Sequence, residues 1–196
     1  MKRLFDFFVA IFAFMTFVVP IGGLVALLVK FTTKGHLIYW SDRAGRHNKI
    51  FKMHKFRTMR LGSGSRITAE NDPRIFTWGR MLRSTKIDEL PQLLDILLGH
   101  MSIIGPRPED PIISKKVVDP RWKDVLSIRP GLVSPGSLLV YRAQQVVDYK
   151  DSELHYIKKI LPKKIEIDLA FFQNRTLLKD CKILLEAAVL IIRRGK

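Results

Sequence analysis

Cysteine is almost absent from this chain of 196 residues, in which Cys181 is the single example. An internal disulfide needs two cysteines and a cysteine-rich metal site needs more, so the sequence excludes both. The five histidines show no metal-ligand spacing either. This composition fits a reducing location that faces the cytoplasm.

Acidic residues are scarce as well. There are 18 Asp and Glu against 34 Lys and Arg, which gives a formal net charge of +16. An excess of this size favours polyanionic partners, such as nucleic acid, anionic lipid or nucleotide phosphates. The charge alone does not choose among them.

Charge is missing altogether from residues 7–29. A straight helix of this length would measure about 34 Å, enough to cross a hydrocarbon core of roughly 30 Å. Pro20, Gly22 and Gly23 interrupt the run near its middle. Because proline removes a backbone donor and clashes with the preceding turn, the sequence predicts a kink or break there, and two halves too short to span.

Cationic residues lie on both sides of the apolar run. They are Lys2 and Arg3 before it, and Lys30, Lys34, Arg43 and Arg46 after it. Positive charge normally stays cytoplasmic, so a single span would leave one flank on the wrong side. We therefore predict a re-entrant membrane helix over residues 1–34, hinged at Pro20, and a cytoplasmic domain over residues 35–196. A proline-kinked spanning helix is the alternative; a signal peptide fits less well because the run is longer than a usual h-region.

Two short strands are predicted next, at residues 37–40 and 50–56, around a turn-like segment at residues 43–48. Residues 61–72 are rich in glycine and serine and lack periodicity, so we predict a mobile connection there. This segment lacks the glycine-lysine ending of a Walker phosphate loop.

A helix is predicted over about residues 74–82, and another follows Pro91 and ends at Gly99. Asp88 and Glu89 would then lie at or just before a helix start, where backbone amides help to hold anions. Simple capping is the commoner use of acids at such a position. Cations cluster in the same third of the chain, however: Lys55, Arg57, Arg80, Arg83, Lys86 and Arg107. Two adjacent carboxylates repel, so keeping both ionised calls for these cations or for a metal.

Arg107 lies between Pro106 and Pro108. The prolines restrict the backbone around it, so its guanidinium can present a bidentate fork to phosphate with little adjustment. A structural pairing with an acid is the alternative, and the same ambiguity applies to Arg129 before Pro130. Carboxylates that can bind a divalent cation or act as a nucleophile, close to a phosphate-binding arginine, indicate phosphate chemistry.

Five motifs follow one another along the chain. They are Lys55-Phe56-Arg57-Thr58-Met59, Asp72-Pro73-Arg74-Ile75, Leu82 to Leu93 (which contains Ile87-Asp88-Glu89-Leu90-Pro91-Gln92), Met101 to Pro108 (which contains Gly105-Pro106-Arg107-Pro108) and Arg129-Pro130-Gly131. Their order is the one found in bacterial sugar transferases, and over nearly its whole length the chain resembles the small monotopic phosphoglycosyl transferases.

The resemblance implies an α/β monotopic membrane protein of the bacterial inner membrane. It would have a proline-broken re-entrant helix, a small mixed α/β catalytic core on the cytoplasmic face and C-terminal amphipathic helices. The implied reaction moves a sugar phosphate from a nucleoside diphosphate sugar, usually a UDP-sugar, to polyprenyl phosphate and releases UMP. The implied partners are these two substrates and membrane lipid, with no nucleic acid.

The resemblance also implies roles for individual residues. Asp88 would be the nucleophile that forms a covalent phosphosugar intermediate, and Glu89 would help Asp88 to place Mg2+. Arg107 would bind phosphate. Weaker candidates for substrate contacts are Lys55, Arg57, Arg83 and Arg129.

The chain departs from the family pattern at two places. Many members have serine before the membrane proline, where this chain has Val19. Many continue Arg-Pro-Gly into a segment rich in Gln, Asn and Gly-Arg, whereas residues 132–138 here read Leu-Val-Ser-Pro-Gly-Ser-Leu. The identity of the sugar therefore stays open.

Two helices are predicted near the C-terminus, one opened by Pro162 and one over residues 177–194. The second has an apolar stripe formed by Leu178, Cys181, Leu185, Ala188 and Ile192. Such a stripe is more typical of a core than of a membrane surface, although the basic end at residues 193–196 suits an interfacial helix. Asp168 and Asp180 are expected to be solvated or capping acids.

Two other functional classes fit part of the sequence. A membrane-tethered module that binds nucleic acid or anionic lipid accounts for the charge and the anchor, but not for the acidic pair. A metal-dependent membrane phosphatase would use water as the final acceptor.

Overall fold

The computed structural model describes residues 2–32, 36–60, 72–143 and 152–194. The architecture is mixed α/β, as predicted, and it is mostly helical. The helices are α1 (Lys2–Ala13), α2 (Val19–Thr32), α3 (Thr77–Ser84), α4 (Gln92–Leu97), α5 (Pro111–Lys116), α6 (Trp122–Ser127), α7 (Pro135–Ala143), α8 (Ser152–His155), α9 (Leu161–Gln173) and α10 (Leu177–Arg194). The strands are β1 (Ile38–Ala44), β2 (Ile50–Phe56), β3 (Ser102–Ile104) and β4 (Gly131–Val133). The predicted domain boundary after residue 34 and nearly all of the connection predicted at residues 61–72 lie outside the described residues.

The N-terminal apolar segment is helical from Lys2 to Thr32, so a break at Pro20, one of the two predicted alternatives, does not occur. The departure from α geometry is a π-helical turn at Phe14–Val18, in which the Val19 N–H donates to the carbonyl of Phe14. The α-helical hydrogen-bond pattern begins again after this turn, at Val19, which is the first residue of α2. Pro20 therefore lies in a first helical turn, where its missing N–H is tolerated.

Both ends of this long helix pack against the rest of the protein. In α1, Lys2 Nζ donates to the carbonyl of Ile104 at 3.1 Å, and Ser102 Oγ donates to the buried Asp6 at 2.7 Å. In α2, Val25 and Val29 are buried with Phe56, Leu82 and their neighbours. By length and composition, and only among the described residues, Lys2–Lys30 could cross or anchor in a membrane.

The predicted strand pair is confirmed, and the first strand is longer than predicted. β1 and β2 form an antiparallel hairpin in which Ile38 pairs with Phe56 and Ala44 with Ile50. The chain reverses at residues 45–49, where His47 and Asn48 have positive φ. Met53 and Phe56 of β2 point into the core.

The helix predicted over residues 74–82 begins later, at Thr77. Arg74 is instead held in the preceding turn by Asp72, to which its Nη2 donates at 2.6 Å. The helix predicted after Pro91 is confirmed as α4, and Gly99 beyond it has a φ of +88°. A glycine is favoured in this left-handed conformation because it has no Cβ.

A short parallel pair, β3 and β4, joins the two arginine-proline motifs. Ser102 N–H donates to the carbonyl of Pro130, and Gly131 N–H donates to the carbonyl of Pro106, each at 2.9 Å. Gly105 and Gly131 meet so closely that a Cβ on Gly131 would lie 2.0 Å from the Gly105 nitrogen. Only glycine fits at this crossing.

The C-terminal helices correct two predictions. The stripe on α10 is not core: Leu178, Leu185 and Ile192 are 82%, 68% and 65% exposed. Asp168 and Asp180 were predicted to be solvated or capping; both are buried, so the solvated alternative is wrong, and the capping alternative is confirmed for Asp168. Asp168 accepts from the Gly136 N–H at 2.8 Å and so caps α7 from a distant helix, while Asp180 forms a part-buried ion pair with Arg175.

The glycine crossing gives a direct stability prediction. Gly131→Ala would force β4 away from β3, and overpacking of this kind costs about 3 kcal/mol or more. We expect the midpoint of thermal unfolding to fall by roughly 6–12 °C for a domain of this size. Gly23→Ala is the matched control, because a Cβ there meets nothing within 4 Å and alanine favours a helix. Equal midpoints for the two variants would contradict the crossing.

Candidate active site

The acidic pair lies on a short 3₁₀ turn, Ile87–Glu89, between α3 and α4. Lys86 precedes the turn with a φ of +60°, a left-handed conformation that is unusual for a residue with a side chain. The reversal turns the chain sharply after α3. It brings both Asp88 and Glu89 into the interior, where each is almost fully buried.

Glu89 is the paired member. Arg107 donates to both of its carboxylate oxygens, from Nη2 to Oε1 at 2.6 Å and from Nη1 to Oε2 at 3.0 Å. Lys86 and Lys55 place their ammonium groups 3.4 and 3.8 Å from Oε1. Burial alone would raise the pKa of Glu89, but these three cations hold it well below its usual range. Glu89 is therefore a fixed anion.

Asp88 is the unpaired member. It is 5% exposed, and its buried Oδ1 has no hydrogen-bond partner among the described residues. Burial and the charge of Glu89 raise the pKa of Asp88, against the opposing effects of Lys55, Lys86 and Arg83. A carboxylate that is buried and unbonded keeps its lone pairs free for a ligand or an electrophile.

Arg107 is positioned by the backbone on both sides of it. Before it, the Pro106 carbonyl accepts from Gly131 at the β4 start. After it, the carbonyl of Glu109 accepts from the Ala44 N–H at 2.9 Å, which ties the loop to the end of β1. The predicted structural pairing of this arginine with an acid is thus present, and the acid is Glu89.

Lys55 on β2 contributes a cation with a lowered pKa. Burial lowers the pKa of Lys55 to about 8, although the neighbouring Glu89 opposes the shift. The side chain sits between the hairpin and the acidic turn. Its ammonium group lies 3.8 Å from Glu89 Oε1 and adds positive charge to the pocket.

These side chains line a cavity of about 560 Å³, a size common for small-molecule sites. Its charged side comprises Arg43, Lys55, Arg83, Lys86, Asp88, Glu89, Arg107, Glu109, Asp110 and Lys164. Its apolar side includes Ala13 and Phe17 from the N-terminal helical segment, Leu138 from α7, and Ala187 and Ile191 from α10. The cavity thus joins an ionic floor to apolar walls formed by the N-terminal helical segment, α7 and α10.

Three of the five predicted cations reach this cavity, namely Lys55, Arg83 and Arg107. Arg57 is buried beside it, where its Nε donates to the carbonyl of Met59 at 3.2 Å. Arg129 lies elsewhere, close enough to Arg3 and Arg46 to feel their charges. The structure does not bring these last two side chains to the cavity lining.

A second buried ionic group was not found from the sequence. Lys164 of α9 donates to Glu109 at 2.5 Å and to the Tyr156 hydroxyl at 2.6 Å, and this hydroxyl also donates to Glu109 at 2.5 Å. Glu109 directly follows the Pro-Arg-Pro motif, which was the available signal. The contact anchors α9 to the loop that carries Arg107, and despite burial the charge of Glu109 raises the pKa of Lys164.

The fit of the site to Mg2+ rests on the acidic pair. Among the described residues no group of three or more His, Cys, Asp or Glu side chains could hold a metal. The partnerless Oδ1 of Asp88 suits a cation, while both oxygens of Glu89 already accept from Arg107. Magnesium commonly takes one or two carboxylates and completes its shell with water and substrate phosphate. The pair fits that mode and not an all-protein cage.

The chain is similar to a known protein family and to several named relatives. Residues 1–194 match the family model described as bacterial sugar transferase. The chain is 32% identical to the exopolysaccharide production protein PSS of Rhizobium leguminosarum bv. phaseoli, over 100% of this chain and 97% of that protein.

Two other relatives carry an activity in their names. The chain is 38% identical to the putative undecaprenyl-phosphate N-acetylgalactosaminyl 1-phosphate transferase of Bacillus subtilis (strain 168), over 59% of this chain and 65% of that protein. It is 31% identical to the undecaprenyl-phosphate galactose phosphotransferase of Salmonella typhimurium, over 99% of this chain and 41% of that protein. It therefore spans less than two thirds of these two relatives, although it covers almost all of the first. The match over residues 1–194 shows that this chain belongs to the bacterial sugar transferase family.

Proposed function

We propose that this protein transfers a sugar phosphate from a UDP-sugar to a polyprenyl phosphate, releases UMP and passes through a phosphosugar ester of Asp88. The observation that carries the proposal is an unpaired buried aspartate at the ionic end of a cavity whose other walls are apolar. The ionic end of such a cavity suits a diphosphate, and its apolar walls suit an isoprenoid chain. The names of the two undecaprenyl-phosphate transferases above support the same reaction class.

The two carboxylates would divide the work. Asp88 attacks the sugar-proximal phosphorus without needing a general base, since a carboxylate is already anionic. Glu89, held by Arg107, Lys86 and Lys55, stays ionised and unavailable for attack. Mg2+, when bound beside Asp88 and Glu89 with donor phosphate oxygens, would neutralise diphosphate charge.

The cations would orient the donor and hold its charge. Arg107 is oriented by its bidentate contact, so donor phosphates can meet its remaining N–H donors without a rotamer search. Lys55 and Arg83 face the same cavity from β2 and α3. Such preorganised positive charge stabilises the charge that develops on the leaving phosphate.

The contacts of the N-terminal helix support a monotopic membrane arrangement. Arg3 donates to the carbonyls of Ile96 and Leu97, while Val25 and Val29 pack near Phe56. A helix with both ends against one domain favours a monotopic, re-entrant anchor over a span. The catalytic part would then lie on the cytoplasmic face, where UDP-sugars and the basic surface both fit.

Removal of the Asp88 charge tests the chemistry. Asp88→Asn should abolish UMP release from UDP-glucose, UDP-galactose and UDP-N-acetylgalactosamine, and should leave no labelled sugar phosphate on the protein. The measurement is UMP formation with Mg2+ and undecaprenyl phosphate, together with intact-protein mass. Asp124→Asn, at an exposed position on α6, should react as the unaltered protein does. Normal turnover of the Asp88 variant sinks the proposal, while UDP or free phosphate as product indicates glycosyl transfer or hydrolysis.

The bidentate arginine gives a graded test. Arg107→Lys keeps the positive charge but loses the planar fork, so we expect kcat/KM for the donor to fall roughly ten- to hundredfold. Arg107→Gln leaves Glu89 with two lysines only and should also destabilise the fold by about 3 kcal/mol. Steady-state kinetics and thermal unfolding separate the two effects. Wild-type kinetics in Arg107→Lys would contradict the assigned role.

The anchor is tested by labelling. In a Cys181→Ser background, cysteines introduced at Lys2 and at Lys30 should react with a membrane-impermeant thiol reagent from the same, cytoplasmic side. Inverted and right-side-out vesicles supply the two accessibilities. Labelling of the two positions from opposite sides would show a span and overturn the re-entrant arrangement.

A further inference from the structure

Arg43 is a cation of the cavity lining to which the proposed reaction has so far given no role. It lies near the end of β1 and is half-buried. Its one side-chain hydrogen bond is a long contact, in which Nε donates to Ser41 Oγ at 3.4 Å. No carboxylate of the described residues forms an ion pair with it. Both Nη groups of Arg43 are therefore without a protein acceptor in that part of the chain.

The other buried cations of the cavity have anionic partners. Glu109 lies close enough to feel the charge of Arg43, but its Oε1 already accepts from Lys164 at 2.5 Å. Glu89 is held by Arg107 in the same way. A cation that is partly removed from water and gains no anion destabilises the fold. An anionic ligand in the cavity accounts for Arg43 better than a structural role does.

The hairpin register separates Arg43 from the cations around the acidic turn. Arg43 pairs with Phe51, and Met53 and Lys55 follow on the same side of β2, because side chains alternate along a strand. Lys55 lies four residues beyond Phe51, a separation of roughly 13 Å along the strand. The ammonium group of Lys55 is beside Glu89, at 3.8 Å. The hairpin thus carries one cation at the acidic turn and a second one farther from it.

Apolar groups of the cavity lie next to Arg43. Phe51 and Met53 belong to the hydrophobic cluster that includes Ala10 of α1, and Ala13 packs against the same cluster. Ala13 and Met53 also line the cavity. Arg43 is therefore located where the ionic floor meets the wall formed by the N-terminal helical segment. Such a place suits an anion that carries an apolar chain.

We propose that Arg43 binds the phosphate of the polyprenyl phosphate acceptor; this role rests on the function proposed above and deepens it. The two Nη groups donate to phosphate oxygens that do not react, in the bidentate mode typical of arginine. The remaining oxygen bonds to phosphorus as the bond from phosphorus to Asp88 breaks, and the electron pair of that bond returns to the carboxylate. No proton has to move, because a phosphate monoester is largely dianionic at neutral pH. Arg43 thus serves the second step and not the first.

Separate measurement of the two half-reactions tests this role. Without acceptor, the unaltered protein should release UMP from its UDP-sugar in a burst that leaves labelled sugar phosphate on Asp88. Arg43→Gln should keep the burst rate, the burst amplitude and the donor KM within about twofold. After UMP is removed by desalting, transfer of the label to undecaprenyl phosphate in detergent should need a roughly ten- to hundredfold higher acceptor concentration for half-maximal rate. This is the loss expected for hydrogen bonds to a charged group.

Two further variants serve as controls. Arg46→Gln removes the same charge at the turn of this hairpin, outside the cavity lining, where Arg46 Nε donates to the carbonyl of Ser127. It should change neither half-reaction. Arg43→Lys keeps the charge without the planar fork, so it should show a smaller loss, confined to the second step. It also replaces Arg43→Gln if that variant does not fold.

The outcomes separate this inference from the function on which it rests. A slower burst or a higher donor KM in the Arg43 variants would assign this residue to the donor and overturn the inference. An unchanged dependence on acceptor concentration in both variants overturns it as well. An unaltered protein that shows no burst of UMP overturns the proposed function itself, and the role of Arg43 with it.

Discussion

The buried contact between Arg107 and Glu89 is the interaction on which the arrangement of the site depends. It links the turn after α3 to the loop between β3 and α5, two segments that no backbone hydrogen bond described here connects directly. Two ions taken out of water must repay a large desolvation penalty, and a bidentate geometry with two further lysines does so. The same contact fixes Glu89 as an anion and so raises the cost of ionising Asp88 beside it. One ion pair therefore fixes the position of the two acids and makes Glu89 easier to ionise than Asp88.

The helices around this contact form the apolar walls of the cavity. α10 shows a stripe of exposed leucine and isoleucine, and its Ala187 and Ile191 line the cavity. The N-terminal helical segment does the same, with exposed phenylalanines on one side and Ala13 and Phe17 at the cavity. Each helix thus has one apolar face toward the site and another that faces outward. An amphiphilic acceptor could then reach the ionic floor without leaving apolar surroundings.

Local patterns sufficed to predict the parts of the fold that depend on local chemistry. The hairpin strands, α4 with Gly99 beyond it, and α10 follow from alternation, helix periodicity and end signals. The expected break at Pro20 did not occur, because a π-helical turn moves the proline into a first helical turn. That adjustment is not encoded in a recognisable residue type. The prediction that the α10 stripe is buried was wrong for a different reason, because periodicity identifies an apolar face but not what covers that face.

The sequence also predicted one part of the site and missed another. Lys55, Arg83, Asp88, Glu89 and Arg107 meet at one cavity, as their clustering in the sequence indicated. The contact from Glu109 to Tyr156 and Lys164 links positions about fifty residues apart, and a single sequence carries no sign of such a pairing. Asp168 was predicted to be solvated or capping, but the helix that it caps, α7, comes from another part of the chain and could not be named from the sequence. Pairs of buried charges that lie far apart in the chain could not be predicted from the sequence.

Two adjacent carboxylates with opposite pKa shifts are the most specific statement that the fold makes about its chemistry. Simple helix capping would leave both acids exposed to water and alike, with neither buried against a cation. Here one acid is saturated with cations and the other is buried with an oxygen that has no partner within the described chain. Sites that separate the ionisation of neighbouring groups commonly assign them different roles. The separation costs stability, and it is explained most simply if Asp88 is kept free of protein partners for the reaction proposed above.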